Sequence, residues 1–148
     1  MVGVCKAWDV RDLIDFTWRD PITDEEMVDL VVSHGGRPSV GWWPRINEHS
    51  LGWVGARDRN GLLVGFVNVA WDGGDHAFLI DTKTRKSYQH RGIGRELVRL
   101  AAMHAKAAGC EWLHVDFKPE LGRFYDNACG FRRTDAGLMH LQTDPASR

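Results

Sequence analysis

The chain has 148 residues, of which 43% are hydrophobic, and its formal net charge is −1 at pH 7. This length predicts a single domain over residues 1–148, with one hydrophobic core. The small net charge argues against nucleic-acid binding, and no apolar run reaches the ~20 residues needed to span a membrane. The N-terminus lacks a signal-peptide pattern and the three cysteines do not indicate a disulfide framework, so we expect a cytoplasmic protein.

The first third of the chain predicts one strand and two helices. Residues 14–19 alternate between apolar and polar side chains, which is typical of a half-buried strand. Thr23 and Glu26 have the spacing of a capping box at the start of a helix, and Gly35-Gly36 ends that helix. A second, short helix is expected over residues 42–49.

The middle of the chain predicts three strands joined by tight turns. The expected strands cover residues 51–57, 62–71 and 76–84. Asn60-Gly61 indicates a type I′ hairpin turn between the first two of them.

The last third predicts a long helix, another strand and a closing hairpin. The helix is expected over residues 95–108, the strand over 111–117, a short helix over 121–128, and the hairpin strands over 131–134 and 138–141. A strand that follows a long helix can return parallel to its predecessor. The fold class is therefore α+β, with a mixed, mostly antiparallel central sheet flanked by helices.

A glycine motif lies between the strand over 76–84 and the long helix. Gln89 to Gly94 reads Gln-His-Arg-Gly-Ile-Gly. Glycines allow close approach to the backbone, and unpaired N–H groups at a helix start suit a phosphate or pyrophosphate. The motif is neither a Walker loop nor the dinucleotide fingerprint. A helix start that only needs room to pack is the alternative.

The motif resembles the acetyl-CoA-binding sequence of the GCN5-related N-acetyltransferase (GNAT) superfamily. Phe124-Tyr125 with Gly130-Phe131 resembles a second family motif, with one extra residue before the glycine. The element order from Thr23 to Leu141 also matches the family. The resemblance implies a splayed cleft for acetyl-CoA between the fourth and fifth strands.

The resemblance also implies which residues hold acetyl-CoA. The fourth strand would offer its backbone to the pantetheine arm, and the glycine loop would hold the pyrophosphate. The residues so assigned are Thr82, Lys83, Thr84, Gln89, His90, Arg91, Gly92, Ile93, Gly94 and Arg95. No metal is expected, because the histidines and cysteines lack metal-ligand spacing.

By the same resemblance, a tyrosine protonates the departing thiolate. Counting from the Phe-Tyr pair assigns this role to Tyr125, whereas counting back from Gly130 assigns it to Asp126. A looser final helical turn could absorb the extra residue. A backbone N–H near Thr82 would stabilise the oxyanion.

Asp81 is the first candidate for the base that takes the amine proton, because it lies in an otherwise apolar strand beside the proposed thioester site. An exposed surface charge is the alternative. His114, with Asp116 on the same strand face, is the second candidate, and His76 the third. Trp42 and Trp43 either line the substrate pocket or belong to the core.

The sequence therefore predicts an N-acetyltransferase that transfers an acetyl group from acetyl-CoA to a small-molecule or peptide amine by direct attack. Family members are often dimers, so the resemblance implies a homodimer as one assembly state. Two alternatives remain open at this point. One is a non-enzymatic acyl-CoA sensor of the same fold, and the other is a CoA-independent domain that binds a protein partner through its tryptophans.

Overall fold

The computed structural model describes residues 9–142, which form an open, five-stranded mixed sheet flanked by helices. The strand order follows the chain, with the first four strands antiparallel and the fifth parallel to the fourth. The strands are β1 (Asp15–Trp18), β2 (Ser50–Arg57), β3 (Leu63–Trp71), β4 (His76–Thr84) and β5 (Trp112–Val115). The predicted fold class is confirmed.

Three α-helices flank the sheet: α1 (Asp24–His34), α2 (Trp42–Asn47) and α3 (Ile93–Ala107). The predicted capping box at α1 is present, since the Thr23 hydroxyl accepts from the Glu26 N–H and the Glu26 carboxylate accepts from the Thr23 N–H. Gly35 ends α1 with a φ of 94°. Helix α3 begins at Ile93, two residues before the predicted start, because the loop closes directly onto it. Within residues 9–142, no helix has the length and apolar character to cross a bilayer.

The core has one part on each face of the sheet. Helix α3 packs on one face through Ile93, Leu97 and Ala101, which cover the buried valines of β2 and β3. On the other face, Trp43 of α2 is 1% exposed and packs edge-on against Phe66, with ring centroids 5.0 Å apart. The second face carries α1 and α2 over β3 and part of β4, and it leaves the outer part of the sheet uncovered.

The β2–β3 turn differs from the predicted type. Gly61 has a positive φ of 82° but Asn60 does not, whereas a type I′ turn needs a positive φ at both positions. The Asp58 carboxylate accepts from the N–H groups of Asn60 and Leu62, and this side-chain cap favours an ordinary turn followed by a left-handed glycine. The type I′ prediction is therefore wrong.

The predicted closing hairpin over 131–134 and 138–141 is also wrong, because no residue from 130 to 142 belongs to a strand. β5 ends at Val115, two residues before the predicted end. The short helix predicted over 121–128 is instead a 3₁₀ turn (Pro119–Leu121) followed by a π-helix (Arg123–Ala128). The second predicted strand carries Leu138, Met139 and Leu141, which are 86%, 71% and 82% exposed rather than packed against a neighbouring strand.

Candidate active site

A wedge opens where β4 and β5 separate. Their parallel pairing runs from His76 opposite Trp112 to Leu79 opposite Val115. β4 then continues through Ile80–Thr84 without a β5 partner. The backbone groups of this segment that neither face β3 nor accept from a side chain, as the Asp81 and Thr84 carbonyls do, are free to pair with an extended ligand, as in strand addition.

A bulge at the wedge redirects the side chains of β4. Ile80 pairs with Asn68 and Lys83 pairs with Phe66, so Asp81 and Thr82 together oppose one β3 residue. Asp81 adopts a left-handed φ of 59°, which a non-glycine residue rarely does outside functional or strained sites. Without the bulge, Asp81 and Lys83 would share the α3 face with Leu79. With it, both turn to the α1 side.

The start of α3 is an uncapped helix N-terminus beside this wedge. Gly92 is the N-cap residue, has a φ of 85°, and provides no side-chain cap. The first turn closes when the Glu96 N–H donates to the Gly92 carbonyl, which leaves the N–H groups of residues 93–95 without helical partners. Their orientation and the helix dipole favour an anion at this point.

The loop before α3 is braced by contacts within the protein. The Gln89 amide and the His34 ring both hydrogen-bond the Thr84 carbonyl, at 3.2 and 3.1 Å. A Cβ on Gly94 would lie 3.2 Å from the Phe124 ring, so this glycine allows the π-helix to pack against α3. Gln89 and Gly94 therefore hold the loop in place, whatever further contacts they make.

Two arginines flank the loop in different ways. Arg91 donates to the Ser87 carbonyl at 3.0 Å and lies over the Tyr88 ring. Arg95 is exposed and lines a groove of about 750 Å³ between α3 and the end of the π-helix, called here the α3 groove. Its lining also includes Arg11, Gly92, Cys129 and Phe131. Burial raises the pKa of the Cys129 thiol to about 11, so this cysteine is protonated and unreactive near neutral pH.

The extra residue in the second motif is accommodated by the π-helix. The Cys129 N–H donates to the Phe124 carbonyl five residues back, at 3.0 Å. Tyr125 is 6% exposed and stacks on Phe117 with ring centroids 4.7 Å apart. Burial raises the pKa of Tyr125, and a hydrogen bond with Thr82 opposes the rise. The Tyr125 hydroxyl therefore stays protonated beside the wedge.

Asp126, the alternative from the sequence, is paired elsewhere. One carboxylate oxygen accepts from Arg133 Nε at 2.6 Å. This ion pair uses Oδ2 of Asp126, and Oδ1 is buried without a hydrogen-bond partner among residues 9–142. Tyr125, in contrast, contacts Thr82 in the bulge. Within the described part of the chain, Tyr125 rather than Asp126 contacts β4.

A pocket of about 310 Å³, called here the α1–β4 pocket, lies on the other side of the bulge. Asp81 and Lys83 form its polar wall, with Lys83 Nζ 3.1 Å from Asp81 Oδ1. The Lys83 ammonium also lies 5.4 Å from the Trp42 ring centroid. Met27, Val31 and Arg37 are among the other lining residues. Trp42 thus lines a pocket, while Trp43 belongs to the core.

His114 lies on the outer part of the sheet and pairs with His76, whereas the sequence suggests Asp116 as its partner. His76 Nδ1 and His114 Nε2 are 2.7 Å apart, and the Phe78 ring stacks on His114 with centroids 4.8 Å apart. Among residues 9–142, the ring contacts of His114 are to these two residues and none is to Asp116. His114 is in register with Phe78, three positions before Asp81.

Sequence reasoning missed the contribution of Arg37 and of the Lys83 side chain to the α1–β4 pocket. The sequence suggests a role only for the strand backbone of Lys83. Strand alternation alone assigns its side chain to the wrong face of the sheet. Arg37 follows a glycine pair in a loop and has no periodic pattern around it. In the described part of the chain, no group of three or more His, Cys, Asp or Glu residues could hold a metal ion.

The chain is similar in sequence or in structure to known acetyltransferases. A profile described as "Acetyltransferase (GNAT) family" matches residues 7–131. A GNAT-family acetyltransferase from Streptococcus pneumoniae superposes with a TM-score of 0.74 at 20% identity, covering 89% of this chain and 100% of that one. Glucosamine-6-phosphate N-acetyltransferase from Arabidopsis thaliana gives 0.67 at 15% identity, covering 87% and 99%. An aminoglycoside N-acetyltransferase in complex with CoA gives 0.68 at 20% identity, covering 86% and 93%. No curated protein matches the chain in sequence.

Proposed function

The chain belongs to the GNAT family of acetyltransferases, and from this premise we propose that it is an N-acetyltransferase that moves an acetyl group from acetyl-CoA to an amine by direct attack. The main support for the proposal is that the second half of β4, which has no β5 partner, lies next to the start of α3, which has no side-chain cap. An extended arm and a charged diphosphate need these two features side by side. We further propose a single cytoplasmic domain over residues 1–148.

The residues around the wedge fit acetyl-CoA. For Thr82, Lys83 and Thr84, the backbone groups that neither face β3 nor accept a hydrogen bond from a side chain are available to the pantetheine arm. The N–H groups of residues 93–95 are available to the pyrophosphate. Arg95 adds positive charge beside them, and the α3 groove falls within the ~300–1,000 Å³ typical of ligand sites. His90 adopts a left-handed φ of 61° within this loop.

Acetyl-CoA supplies an activated acyl carbon and a thiol leaving group. In the proposed reaction a C–N bond forms and the C–S bond breaks. Asp81 takes the proton that the amine nitrogen loses, directly or through a water, and a backbone N–H near Thr82 donates to the thioester oxygen. The Tyr125 hydroxyl gives a proton to the sulfur. Its pKa lies above its ordinary value of 10.0, so the proton is present when needed.

Calorimetry with acetyl-CoA and an assay of thiol release with a panel of amines test this function. Arg95→Glu, which places negative charge at the helix start, should weaken acetyl-CoA binding roughly tenfold or more. Lys106→Glu, near the other end of the same exposed helix face, is the matched control and should bind as the parent does. Binding without acetyl transfer to any amine would support the acyl-CoA sensor instead. A failure to bind CoA would support the partner-binding domain.

We also propose that the protein is a homodimer. Three large apolar side chains, Leu138, Met139 and Leu141, are 86%, 71% and 82% exposed in a segment without strands or helices. Such a concentration of exposed apolar surface is typical of an interface. Sedimentation velocity of the parent and of a Leu138→Asp, Leu141→Asp variant tests the proposal. A parent that sediments as a monomer at every concentration would overturn it.

A further inference from the structure

The α1–β4 pocket carries more positive than negative charge. Of the charged side chains that line it, Arg37 and Lys83 are cationic and Asp81 is anionic. A pocket built for a polycation would need an excess of carboxylates, because like charges at close range in a part-buried site repel. The acceptor amine has to approach Asp81 in the presence of these two cations.

Lys83 has hydrogen-bonding capacity left for a ligand. Its side chain is only 14% exposed, and its ammonium donates to the Asp81 carbonyl at 3.3 Å and to Asp81 Oδ1 at 3.1 Å. An ammonium has three N–H donors, so one remains. The Trp42 and Phe66 rings, 5.4 and 6.0 Å from Nζ, hold the ammonium at the edge of the pocket.

Arg37 is the second cation of the pocket. Its exposed side chain lines the pocket from the loop between α1 and α2, and none of the ion pairs among residues 9–142 includes it. A guanidinium presents a planar fork that matches the two oxygens of a carboxylate or phosphate. The pocket therefore offers one carboxylate to an amine and two cations to an anion, within about 310 Å³.

We propose that the acceptor is a small zwitterionic amine, an amino acid or a similar molecule, whose carboxylate or phosphate binds Arg37 and Lys83 while its amine faces Asp81. This inference rests on the proposed function, because a molecule bound here is an acetyl acceptor only if the protein is an acetyltransferase. The small volume, near the lower limit for ligand pockets, favours a molecule of amino-acid size over a large one. Among residues 9–142, no hydrogen-bond donor reaches Asp81 Oδ2, and this oxygen is left for the amine.

The experiment compares matched ligands by calorimetry on the CoA-bound protein. Phenylalanine is compared with phenylalaninamide, and O-phosphoethanolamine with ethanolamine, so that each pair differs in the anionic group. In the pair that carries the preferred anionic group, we expect the ligand with that group to bind roughly tenfold or more tightly than the ligand without it. The two pairs distinguish carboxylate from phosphate as the preferred group. Equal affinities within both pairs, or no binding by either anion, would overturn the proposal.

Arg37→Gln removes one cation from an exposed loop. Within a ligand pair, it should reduce the ratio of the affinity with the anionic group to the affinity without it at least threefold. Lys83→Gln should reduce it as well, and Lys106→Gln, which lies outside the pocket, should leave it unchanged. An unchanged ratio in both pocket variants would contradict the assignment.

Thiol release separates this inference from the proposed function. If zwitterions bind but no amine is acetylated, the acetyltransferase proposal fails and the pocket assignment stands. If neutral amines are acetylated as fast as zwitterions and bind as tightly, the function stands and the pocket assignment fails.

Discussion

The Tyr125 hydroxyl is the group whose removal tests the proposed chemistry most directly. Tyr125→Phe keeps the ring that packs against Phe117 and Phe131 and removes only the proton donor. Acetyl-CoA affinity should hold, while kcat falls ~10²–10⁴-fold, the usual contribution of a general acid. Asp126→Asn is the control and should turn over near the parent rate. A Tyr125→Phe variant within a factor of about two of the parent would reject the role.

If the Asp81 carboxylate is the base, the loss of activity on removing it should depend on pH. Asp81→Asn keeps the shape of the side chain and loses its basicity. The loss in kcat/KM should be largest near neutral pH, where an amine acceptor is mostly protonated, and should shrink towards the acceptor's own pKa, ~7.7–8.0 for an α-amine and ~10.4 for a lysine-like one. The pH–rate profiles of parent and variant measure it. A constant-fold loss at every pH would leave His114, paired with His76, as the next base to test.

The contact between α3 and the sheet depends on a glycine of β3. A Cβ on Gly65 would lie 2.9 Å from Ile93 Cγ2 and 3.0 Å from Leu97 Cδ1, so the helix would have to move. Gly65→Ala should lower the free energy of unfolding by ~1–3 kcal/mol, as overpacked cores do. Gly74→Ala is the control, because its new Cβ would meet nothing closer than 3.5 Å. Denaturant titration measures both, and equal midpoints for the two variants would contradict the packing argument.

Elements with strong local signals could be predicted from the sequence, and those set by tertiary contacts could not. β4 begins and ends at the predicted residues, and the capping box fixes α1, because both depend on nearby residues. The bulge at Asp81 depends on pairing with β3 and has no glycine to reveal it. The predicted hairpin after Phe131 failed because the turn signal at Asp135-Ala136-Gly137 does not supply the packing that a pair of strands needs.

The same distinction holds for the candidate site. The glycine motif and the Phe-Tyr pair are contiguous in sequence, so both could be found before the structure was known. The α1–β4 pocket combines a loop, two helices and a bulged strand, and its charges come together only in the fold. The face on which Lys83 lies required the structure.

An ion-pair cluster joins distant parts of the molecule and makes its stability depend on pH. Arg57 of β2 bonds Glu26 of α1 at 2.6 Å and the buried Asp20 at 2.9 Å. The hydrogen bond from Arg57 holds the pKa of Glu26 below its ordinary value of 4.5. The stability that this carboxylate contributes is therefore present above that value and is lost as the pH falls through the lowered pKa of the folded state.

Glu26→Gln removes this titration and keeps an amide oxygen for the capping box. The Tm of the variant should lie below that of the parent near pH 6, and the gap should narrow as the pH falls below about 4.5, the ordinary pKa of this carboxyl. Asp20 shares Arg57 with Glu26 and its pKa is raised in part by the Glu26 charge, so the difference reports Glu26 together with its effect on Asp20. Thermal unfolding by circular dichroism at a series of pH values measures it, and a gap that does not change with pH would contradict the assignment.

The Lys83 ammonium above the Trp42 ring gives the α1–β4 pocket an optical signal of its own. A positive charge near an indole shifts the energy of its excited state, so an anion that draws Lys83 towards itself changes the emission of Trp42. The Trp43 ring lies 6.2 Å from that of Trp42 and packs against Trp53, so a variant at Trp42 is needed to assign the change to this ring. Ligand binding can therefore be followed by intrinsic fluorescence without a label, and Trp42→Phe should abolish the ligand-dependent change.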